Sequence, residues 1–338
     1  MTASILVHGG AGAMRGMTPA REARYRTGLR AAAAAGQRVL EAGGAALDAA
    51  VAAVVAMEDG GVFNAGLGSC LTSDGTVEMD AAVMRGADRG IGAVASIEGV
   101  ANPVLLAREV MLDTPHCVLA AEGAMSFARD RGLLFRDDFP PRSRLAEWER
   151  KKARLEARTA GKTLEQGLAE LGGVLGDQED AVSGSDPVGD NHDTVGAVAC
   201  DARGGVAAAV STGGIWLKMP GRVGDCPLPG AGFWALDEQG AAVATGTGES
   251  LMRVMICKHV VDGMRDGATA QEASVASVAL LEEHFGPDQG GVIAVSPRGA
   301  IGWALNTNGM GRGTWRSGMD EPAVAVWPSE EWDRAVQG

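Results

Sequence analysis

The chain has 338 residues, enough for one large domain or two medium ones, and its 46% hydrophobic content is too high for a disordered protein. Its formal net charge of −13 argues against nucleic acids and anionic membranes as partners, because both require a basic surface. Glycine supplies 50 residues, about twice the usual share, without the three-residue period of collagen. This composition favours tight turns and close approaches of the backbone to ligands.

The predicted elements of the first half are strands and helices in blocks. Thr18 followed by Pro19 is typical of a helix start, and the alanine- and valine-rich pattern at 45–58 indicates a helix buried on most faces. In chain order we predict a strand at 4–8, a glycine turn at 9–12, helices at 19–41 and 45–58, a glycine-rich loop at 59–68, strands at 76–84 and 92–97, a helix capped by Asn102 and Pro103, and helices at 119–131 and 142–158.

A polar segment at 160–193 separates this half from the next, and a loop of that length is usually a linker or a functional segment. The block order of the elements favours antiparallel sheets with helices layered outside. For the second half we predict strands at 194–200, 206–211, 233–236 and 241–244, helices at 249–266 and 269–284, the latter opened by a capping box of Thr269 and Glu272, and a hairpin of 291–296 with 300–306.

The cysteine usage and the N-terminus bear on the compartment. Five widely spaced cysteines contain no C-x-x-C motif, which favours a reducing environment. The first twelve residues lack the regions of a signal peptide, and no uncharged apolar run reaches about 20 residues. The histidines show no metal-ligand spacing, so surface or core roles are the simplest interpretation of His116, His259 and His284. We expect a cytoplasmic protein.

Thr194 stands where the polar segment ends and a strand begins. If the chain were cut before Thr194, this residue would carry both a hydroxyl and a free α-amine. An α-amine has an ordinary pKa of about 7.7–8.0, so it can serve as general base for its own hydroxyl near neutral pH. The simpler interpretation is a β-branched residue that opens a strand.

Two later strings place polar groups among glycines. Arg222 and Asp225 are three residues apart, so the guanidinium can grip the α-carboxylate of an amino acid while the carboxylate receives its ammonium. The simpler alternative is a surface pair between the two, worth about 0–1 kcal/mol. Residues 244–249 form a glycine-rich turn before a helix, whose N–H groups and Thr245 hydroxyl can form an oxyanion hole.

Taken together and in this order, the strings closely resemble the plant-type asparaginase and isoaspartyl peptidase family of N-terminal nucleophile hydrolases. The resemblance covers nearly the whole chain. The strings that carry it are His8-Gly9-Gly10-Ala11-Gly12, Phe63-Asn64-Ala65-Gly66-Leu67-Gly68-Ser69, Asp74-Gly75-Thr76-Val77-Glu78-Met79-Asp80-Ala81, Thr194, Ser211-Thr212-Gly213-Gly214, Gly221-Arg222-Val223-Gly224-Asp225 and Thr245-Gly246-Thr247-Gly248.

The resemblance implies an α+β fold, a four-layer αββα sandwich, with residues 1–338 in a single domain. It also implies that the chain cleaves itself between Asp193 and Thr194. The products would be an α chain of residues 1–193, which ends in the flexible linker 160–193, and a β chain of residues 194–338. Two such αβ units are expected to form a dimer, a heterotetramer of four chains.

The resemblance also implies roles for single residues. Thr194 would be the nucleophile, Thr212 the hydroxyl that orients it, and Asn64 a neighbour of the nucleophile. Thr245 and Gly246 would form the oxyanion hole.

Arg222 and Asp225 would anchor the carboxylate and amine of the substrate, with Gly246 and Gly248 beside them. No cofactor is required for catalysis, but a structural sodium ion is implied, bound by backbone carbonyls. Its ligand positions would be Met57, Glu58, Gly60, Phe63, Ala65 and Leu67.

The substrate has two candidate classes. His192 and Asp193 before Thr194 are typical of the glycosylasparaginase branch, which releases N-acetylglucosamine from Asn. Residues 195–198 and the double glycine after Thr212 favour the asparaginase and isoaspartyl peptidase branch. We therefore predict an autoprocessing amidohydrolase whose partners are small molecules, Asn or β-aspartyl dipeptides. A non-catalytic amino-acid-binding protein that uses Arg222 and Asp225 is the alternative from another class.

Overall fold

The computed structural model describes residues 1–12, 14, 17–133, 139–159, 194–330 and 332. The predicted linker 160–193, including Asp193, lies outside the described residues. The described elements are β1 (Ser4–Ala11), α1 (Pro19–Glu41), α2 (Ala46–Gly60), a 3₁₀ turn (Gly66–Gly68), β2 (Met79–Arg85), β3 (Gly90–Ile97), α3 (Pro103–Asp113), β4 (Val118–Ala120), α4 (Ala121–Asp130), α5 (Arg142–Thr159), β5 (Val195–Cys200), β6 (Val206–Thr212), β7 (Phe233–Leu236), β8 (Gly240–Gly246), α6 (Gly248–Val254), α7 (Ile256–Arg265), α8 (Ala270–Phe285), β9 (Gly290–Val295), β10 (Ile301–Leu305), β11 (Met310–Arg316) and β12 (Ala323–Ala325).

The strands form two sheets. The larger has the order β12-β11-β1-β5-β6-β2-β3-β4, and the smaller has the order β10-β9-β8-β7. Each described neighbour pair is antiparallel apart from β3 with β4, as the block order of the sequence predicted. The fold is therefore α+β.

Alternating side chains of the strands feed different hydrophobic clusters, as the two-residue period of a strand requires. In β1, Ile5 and Val7 pack with residues of α1 and α2, whereas Leu6 belongs to a cluster with residues of the smaller sheet. A third cluster joins the smaller sheet to α7 and α8. Because the core has few aromatic side chains, it is built mainly from alanine, valine and leucine.

Local capping signals were the most reliable sequence features. The Thr18 hydroxyl accepts a hydrogen bond from Arg21 N, and Pro19 opens α1 as predicted. The capping box of Thr269 and Glu272 at the start of α8 is confirmed in both directions.

Several other predicted boundaries of helices and strands were wrong. The predicted turn at 9–12 is a continuation of β1 to Ala11 through a bulge after His8. The predicted helix at 249–266 is two helices, because Met255 adopts a left-handed conformation with φ of 49°. Strands β11, β12 and β4 were missed, and β4 occupies residues assigned to the start of α4.

Side chains in two helices also depart from expectation. Asn102 does not cap α3 with its side chain, which donates instead to Glu58 Oε2 at 3.2 Å. Glu58 performs the capping from α2, since its Oε1 accepts Val104 N at 3.1 Å. Helix α5 is anchored by Trp148 Nε1, which donates to the carbonyl oxygen of Thr72 at 2.8 Å. Among the described helices, none is both long and apolar enough to cross a bilayer.

Candidate active site

Three adjacent strands of the larger sheet bring polar side chains to one edge. Val195 pairs with Ser211, so Thr194 lies opposite Thr212 one step further, and Thr212 pairs with Asp80 on β2. Thr194, Thr212 and Asp80 are all buried. Because directly opposed residues of neighbouring strands point to the same face, these three side chains form one row across the sheet.

The hydroxyls of Thr194 and Thr212 are hydrogen-bonded. Thr194 Oγ1 donates to Thr212 Oγ1 at 3.2 Å, and Thr212 Oγ1 also accepts Gly214 N at 3.0 Å. The backbone N–H of Gly214 thus fixes the orientation of the Thr212 hydroxyl, which in turn orients the Thr194 hydroxyl. The sequence predicted both threonines, and the structure brings them together.

Asn64 is hydrogen-bonded to the turn that follows Thr212. Its Nδ2 donates to the carbonyl oxygen of Gly214 at 2.7 Å, and its Oδ1 accepts Cys70 N at 2.8 Å. Its backbone carbonyl accepts Gly213 N at 3.0 Å. The predicted neighbour of the nucleophile therefore contacts the turn that carries Gly214.

Arg222 and Asp225 lie beside Thr194 and Thr212 in one cleft. The cleft is lined by Thr194, Thr212, Gly214, Ile215, Arg222, Gly224, Asp225 and Gly246. The predicted substrate-anchoring pair and the predicted nucleophile therefore face the same space.

The guanidinium of Arg222 pairs with Glu249, a residue to which the sequence analysis gave no role. Its Nε donates to Glu249 Oε1 at 3.0 Å and its Nη2 to Glu249 Oε2 at 2.8 Å. This is a bidentate contact, which uses the side fork of the guanidinium and leaves the end fork, formed by both Nη atoms, for another carboxylate. The expected alternative, a surface pair of Arg222 with Asp225, is not the ion pair that forms.

Burial controls the charges in the cleft. Burial raises the pKa of the Asp225 carboxyl to about 7, although the positive charge of Arg222 acts to lower it. Asp225 Oδ2 is buried without a hydrogen-bond partner among the described residues. Burial alone would lower the pKa of Arg222, but the contacts with Glu249 outweigh it and raise that pKa. The site therefore combines a charged guanidinium with a carboxyl group whose Oδ2 receives no hydrogen bond from the part of the chain that the structure describes.

The end of β8 and the start of α6 close the cleft, where the sequence predicted a turn at 244–249. A Cβ on Gly248 would lie 2.8 Å from Asp225 Oδ1 and 3.1 Å from Arg222 Nη2, so a larger residue there would crowd both side chains. Gly246 lines the cleft with φ of 144°. Thr245, the residue before it, is buried, and its Oγ1 accepts Ala11 N at 3.3 Å.

His8 is buried next to the start of β5. The ring packs over Gly196, where a Cβ would overlap Nε2. Burial lowers the pKa of His8 to about 3, and a contact with the backbone of Thr194 opposes this shift. The ring is therefore neutral at physiological pH.

The proposed sodium ligands lie in the last turn of α2 and in the loop that follows it. A Cβ on Gly66 would lie 2.6 Å from the carbonyl oxygen of Glu58, and a Cβ on Gly68 would overlap the carbonyl oxygen of Phe63. These two glycines therefore let the loop return onto carbonyls at the end of α2 and in the loop itself.

The comparison with protein families covers almost the full chain. The model of the Asparaginase family matches residues 1–324. The plant-type L-asparaginase of Thermococcus kodakarensis is 44% identical over 329 residues, which span 96% of this chain and 100% of that protein. The plant-type L-asparaginase of Pyrococcus furiosus is 42% identical over 329 residues, 96% of this chain and 99% of the relative.

A second group of relatives comes from mammals. The isoaspartyl peptidase/L-asparaginase of Homo sapiens is 38% identical over 299 residues, which span 88% of each chain. These matches make the protein a hydrolase of the N-terminal nucleophile class. The chain belongs to the Asparaginase family.

Proposed function

We propose that this protein hydrolyses β-aspartyl amide bonds, in L-asparagine and in β-aspartyl dipeptides, with Thr194 as nucleophile. The observation that carries the proposal is the 3.2 Å contact between the hydroxyls of Thr194 and Thr212 in a cleft shared with Arg222 and Asp225. The names of the archaeal and mammalian relatives support the same chemistry.

The first proposed reaction is maturation. The Thr194 hydroxyl attacks the carbonyl carbon of Asp193, the peptide C–N bond breaks, and the nitrogen takes up a proton as the α-amine of Thr194. The product is an ester between Asp193 and the Thr194 oxygen. Water then hydrolyses that ester, which restores the hydroxyl and separates an α chain (1–193) from a β chain (194–338).

Turnover repeats this chemistry on the substrate. The free α-amine of Thr194 accepts the hydroxyl proton as the oxygen attacks the side-chain carbonyl of the substrate. The resulting oxyanion is stabilised by Thr245 and Gly246. Ammonia or an amine leaves with the proton, and water hydrolyses the β-aspartyl ester on Thr194.

Arg222 and Asp225 select the substrate in this proposal. The free end fork of the Arg222 guanidinium binds the α-carboxylate, and Asp225 Oδ2, which lacks a partner among the described residues, accepts the α-ammonium. A lysine at position 222 has one ammonium and would not serve Glu249 and the substrate together.

We also propose a structural sodium ion at the end of α2. The last four carbonyls of a helix lack intrahelical partners and carry partial negative charge, which suits a hard cation. Gly66 and Gly68 let the loop pass close to the carbonyl oxygens of Glu58 and Phe63, two of the proposed ligands. The ion would supply charge compensation for carbonyls of Met57, Glu58, Gly60, Phe63, Ala65 and Leu67.

The architecture and assembly are proposed in the same way. The three hydrophobic clusters support a four-layer helix–sheet–sheet–helix sandwich formed by residues 1–338 as one domain. We propose a dimer of αβ units. A cytoplasmic location is supported by the five cysteines, all of which are free thiols.

The test combines a gel with a substrate panel. We expect two fragments on a denaturing gel, the smaller beginning at Thr194, and a single uncut chain for Thr194→Ala. The processed enzyme should hydrolyse L-asparagine and a β-aspartyl dipeptide faster than N-acetylglucosaminyl-asparagine. Turnover by a chain that stays uncut would contradict the mechanism, and preference for the glycan substrate would contradict the substrate class.

A further inference from the structure

The loop that carries Arg222 is attached to residues far away in the sequence. Gly221, which directly precedes Arg222, donates its backbone N–H to Glu78 Oε2 at 2.7 Å. Glu78 is 7% exposed and lies just before β2. A nearly buried carboxylate oxygen therefore holds the backbone next to the proposed substrate anchor.

A bulge in β3 orients this carboxylate. The register between β2 and β3 shifts opposite Asp80, and Ser96 adopts a left-handed conformation with φ of 52°. As a result, Ser96 N donates to Asp80 Oδ1 at 2.8 Å while its Oγ donates to Glu78 Oε2 at 2.9 Å. Bulges often redirect side chains in this way near functional sites.

Lys218 fixes Glu78 from the other side. Its Nζ, on a side chain that is 2% exposed overall, donates to the carbonyl oxygen of Glu78 at 2.7 Å. Its aliphatic part packs under Gly214, where a Cβ would lie 2.9 Å from Lys218 Cδ. Glu78 is thus in contact with both ends of the loop from 218 to 221.

We propose that Glu78 is a positioning residue that sets the place of Arg222 in the cleft by holding Gly221. The inference rests on the proposed function, because it assigns Glu78 to the substrate anchor. Glu249 holds the guanidinium, and Glu78 holds the backbone from which that guanidinium extends. Two acidic residues from different parts of the chain together define where the substrate carboxylate binds.

This arrangement predicts a selective kinetic defect. Loss of a binding contact that is equally strong in the ground state and in the transition state raises KM and leaves kcat nearly unchanged. Self-cleavage does not use the substrate anchor, because it acts on the peptide bond before Thr194. Loss of the Glu78 contact should therefore affect substrate binding much more than maturation.

The experiment compares Glu78→Met with Glu78→Gln in the full-length protein. Met has similar size but no acceptor, whereas the Gln amide oxygen can still accept from Gly221 N. We expect Glu78→Met to mature at the normal rate and to raise KM for L-asparagine about tenfold or more, with kcat changed less than threefold. Glu78→Gln should restore KM to within about threefold of the parent value.

Asp237→Leu is the matched control. Asp237 Oδ1 accepts Val206 N at 2.8 Å, the same kind of carboxylate-to-backbone contact, at the opposite end of β6 from Thr212. This variant should lower thermal stability without changing KM. If Glu78→Met does not fold, Ser96→Gly serves in its place, because glycine tolerates the left-handed backbone of the bulge and removes the hydroxyl that orients the Glu78 carboxylate, so KM should rise in this variant too.

The outcomes separate the two proposals. An unchanged KM in Glu78→Met, or in Ser96→Gly where Glu78→Met does not fold, would overturn the positioning role. Equal loss of maturation, kcat and thermal stability would also overturn it, because a general structural role predicts that pattern. If the parent protein neither cleaves itself nor hydrolyses L-asparagine, the proposed function itself fails.

Discussion

Asp225 carries a prediction about pH. Its pKa is raised to about 7 by burial, and only the ionised carboxylate attracts an ammonium group. As the pH falls through 7, protonation removes this charge. We therefore expect the affinity for the product L-aspartate to fall with decreasing pH by as much as about tenfold per pH unit.

Succinate is the matched control ligand, because it has both carboxylates of aspartate and no amine. Inhibition constants measured across neutrality should weaken towards acid for L-aspartate and change much less for succinate. Parallel curves for the two ligands would mean that another group, such as the α-amine of Thr194, causes the dependence. Asp225→Asn should weaken L-aspartate binding and flatten its curve.

At the residue scale, the sequence indicates a functional residue when its role follows from its own side chain and its immediate neighbours in the chain. A threonine before a strand and an arginine among glycines can be found by reading along the chain. The partner of Arg222 could not be found in this way, because Glu249 is 27 residues away and the nearer Asp225 is the simpler choice. Likewise, Glu78 stands in a recognisable string, but its contact with Gly221 depends on the packing of two segments that are distant in sequence.

Helix α2 supplies the prediction at the scale of elements. Its N-cap residue, Ala45, has no capping side chain. The cap comes from Asp201 in the turn between β5 and β6, whose Oδ2 accepts Ala46 N at 3.2 Å. Asp201 Oδ1 also accepts Arg203 N and Gly205 N. One carboxylate therefore stabilises a helix start and a strand connection.

We expect Asp201→Ala to lower the free energy of unfolding by about 1–3 kcal/mol, because it removes a helix cap and leaves backbone N–H groups without an acceptor. Urea titration of the parent and the variant measures this loss. Asp201→Asn retains one acceptor oxygen and should lose less. Equal stability of Asp201→Ala and the parent protein would exclude a capping role.

The elements show why some boundaries can be predicted and others cannot. Thr269 and Glu272 cap α8 with groups three residues apart, so the local sequence contains the full signal. The break at Met255 has no such signal, since methionine is a good helix former. The backbone just after the break is held by a segment distant in sequence, since Lys258 N donates to the carbonyl oxygen of Gly230 at 2.9 Å, so the break reflects tertiary contacts.

At the scale of the whole molecule, the larger sheet interleaves the two chains that cleavage would create. Strand β1 precedes Thr194 but lies between β11 and β5, which follow it. Strand β2 also precedes Thr194 and pairs with β6. Three of the strand pairs in this sheet thus join the proposed α chain to the proposed β chain, and their separation would expose unpaired backbone groups from the buried centre of the sheet.

We therefore expect the cleaved chains to remain together until the protein unfolds. They should elute as one species under native conditions and unfold in one cooperative transition, although a denaturing gel separates them. Since unfolding then releases an extra particle, the midpoint of the cleaved protein should depend more strongly on protein concentration than that of uncut Thr194→Ala. Release of one chain before the main transition would contradict this, because the larger sheet is completed only when strands from both chains are paired.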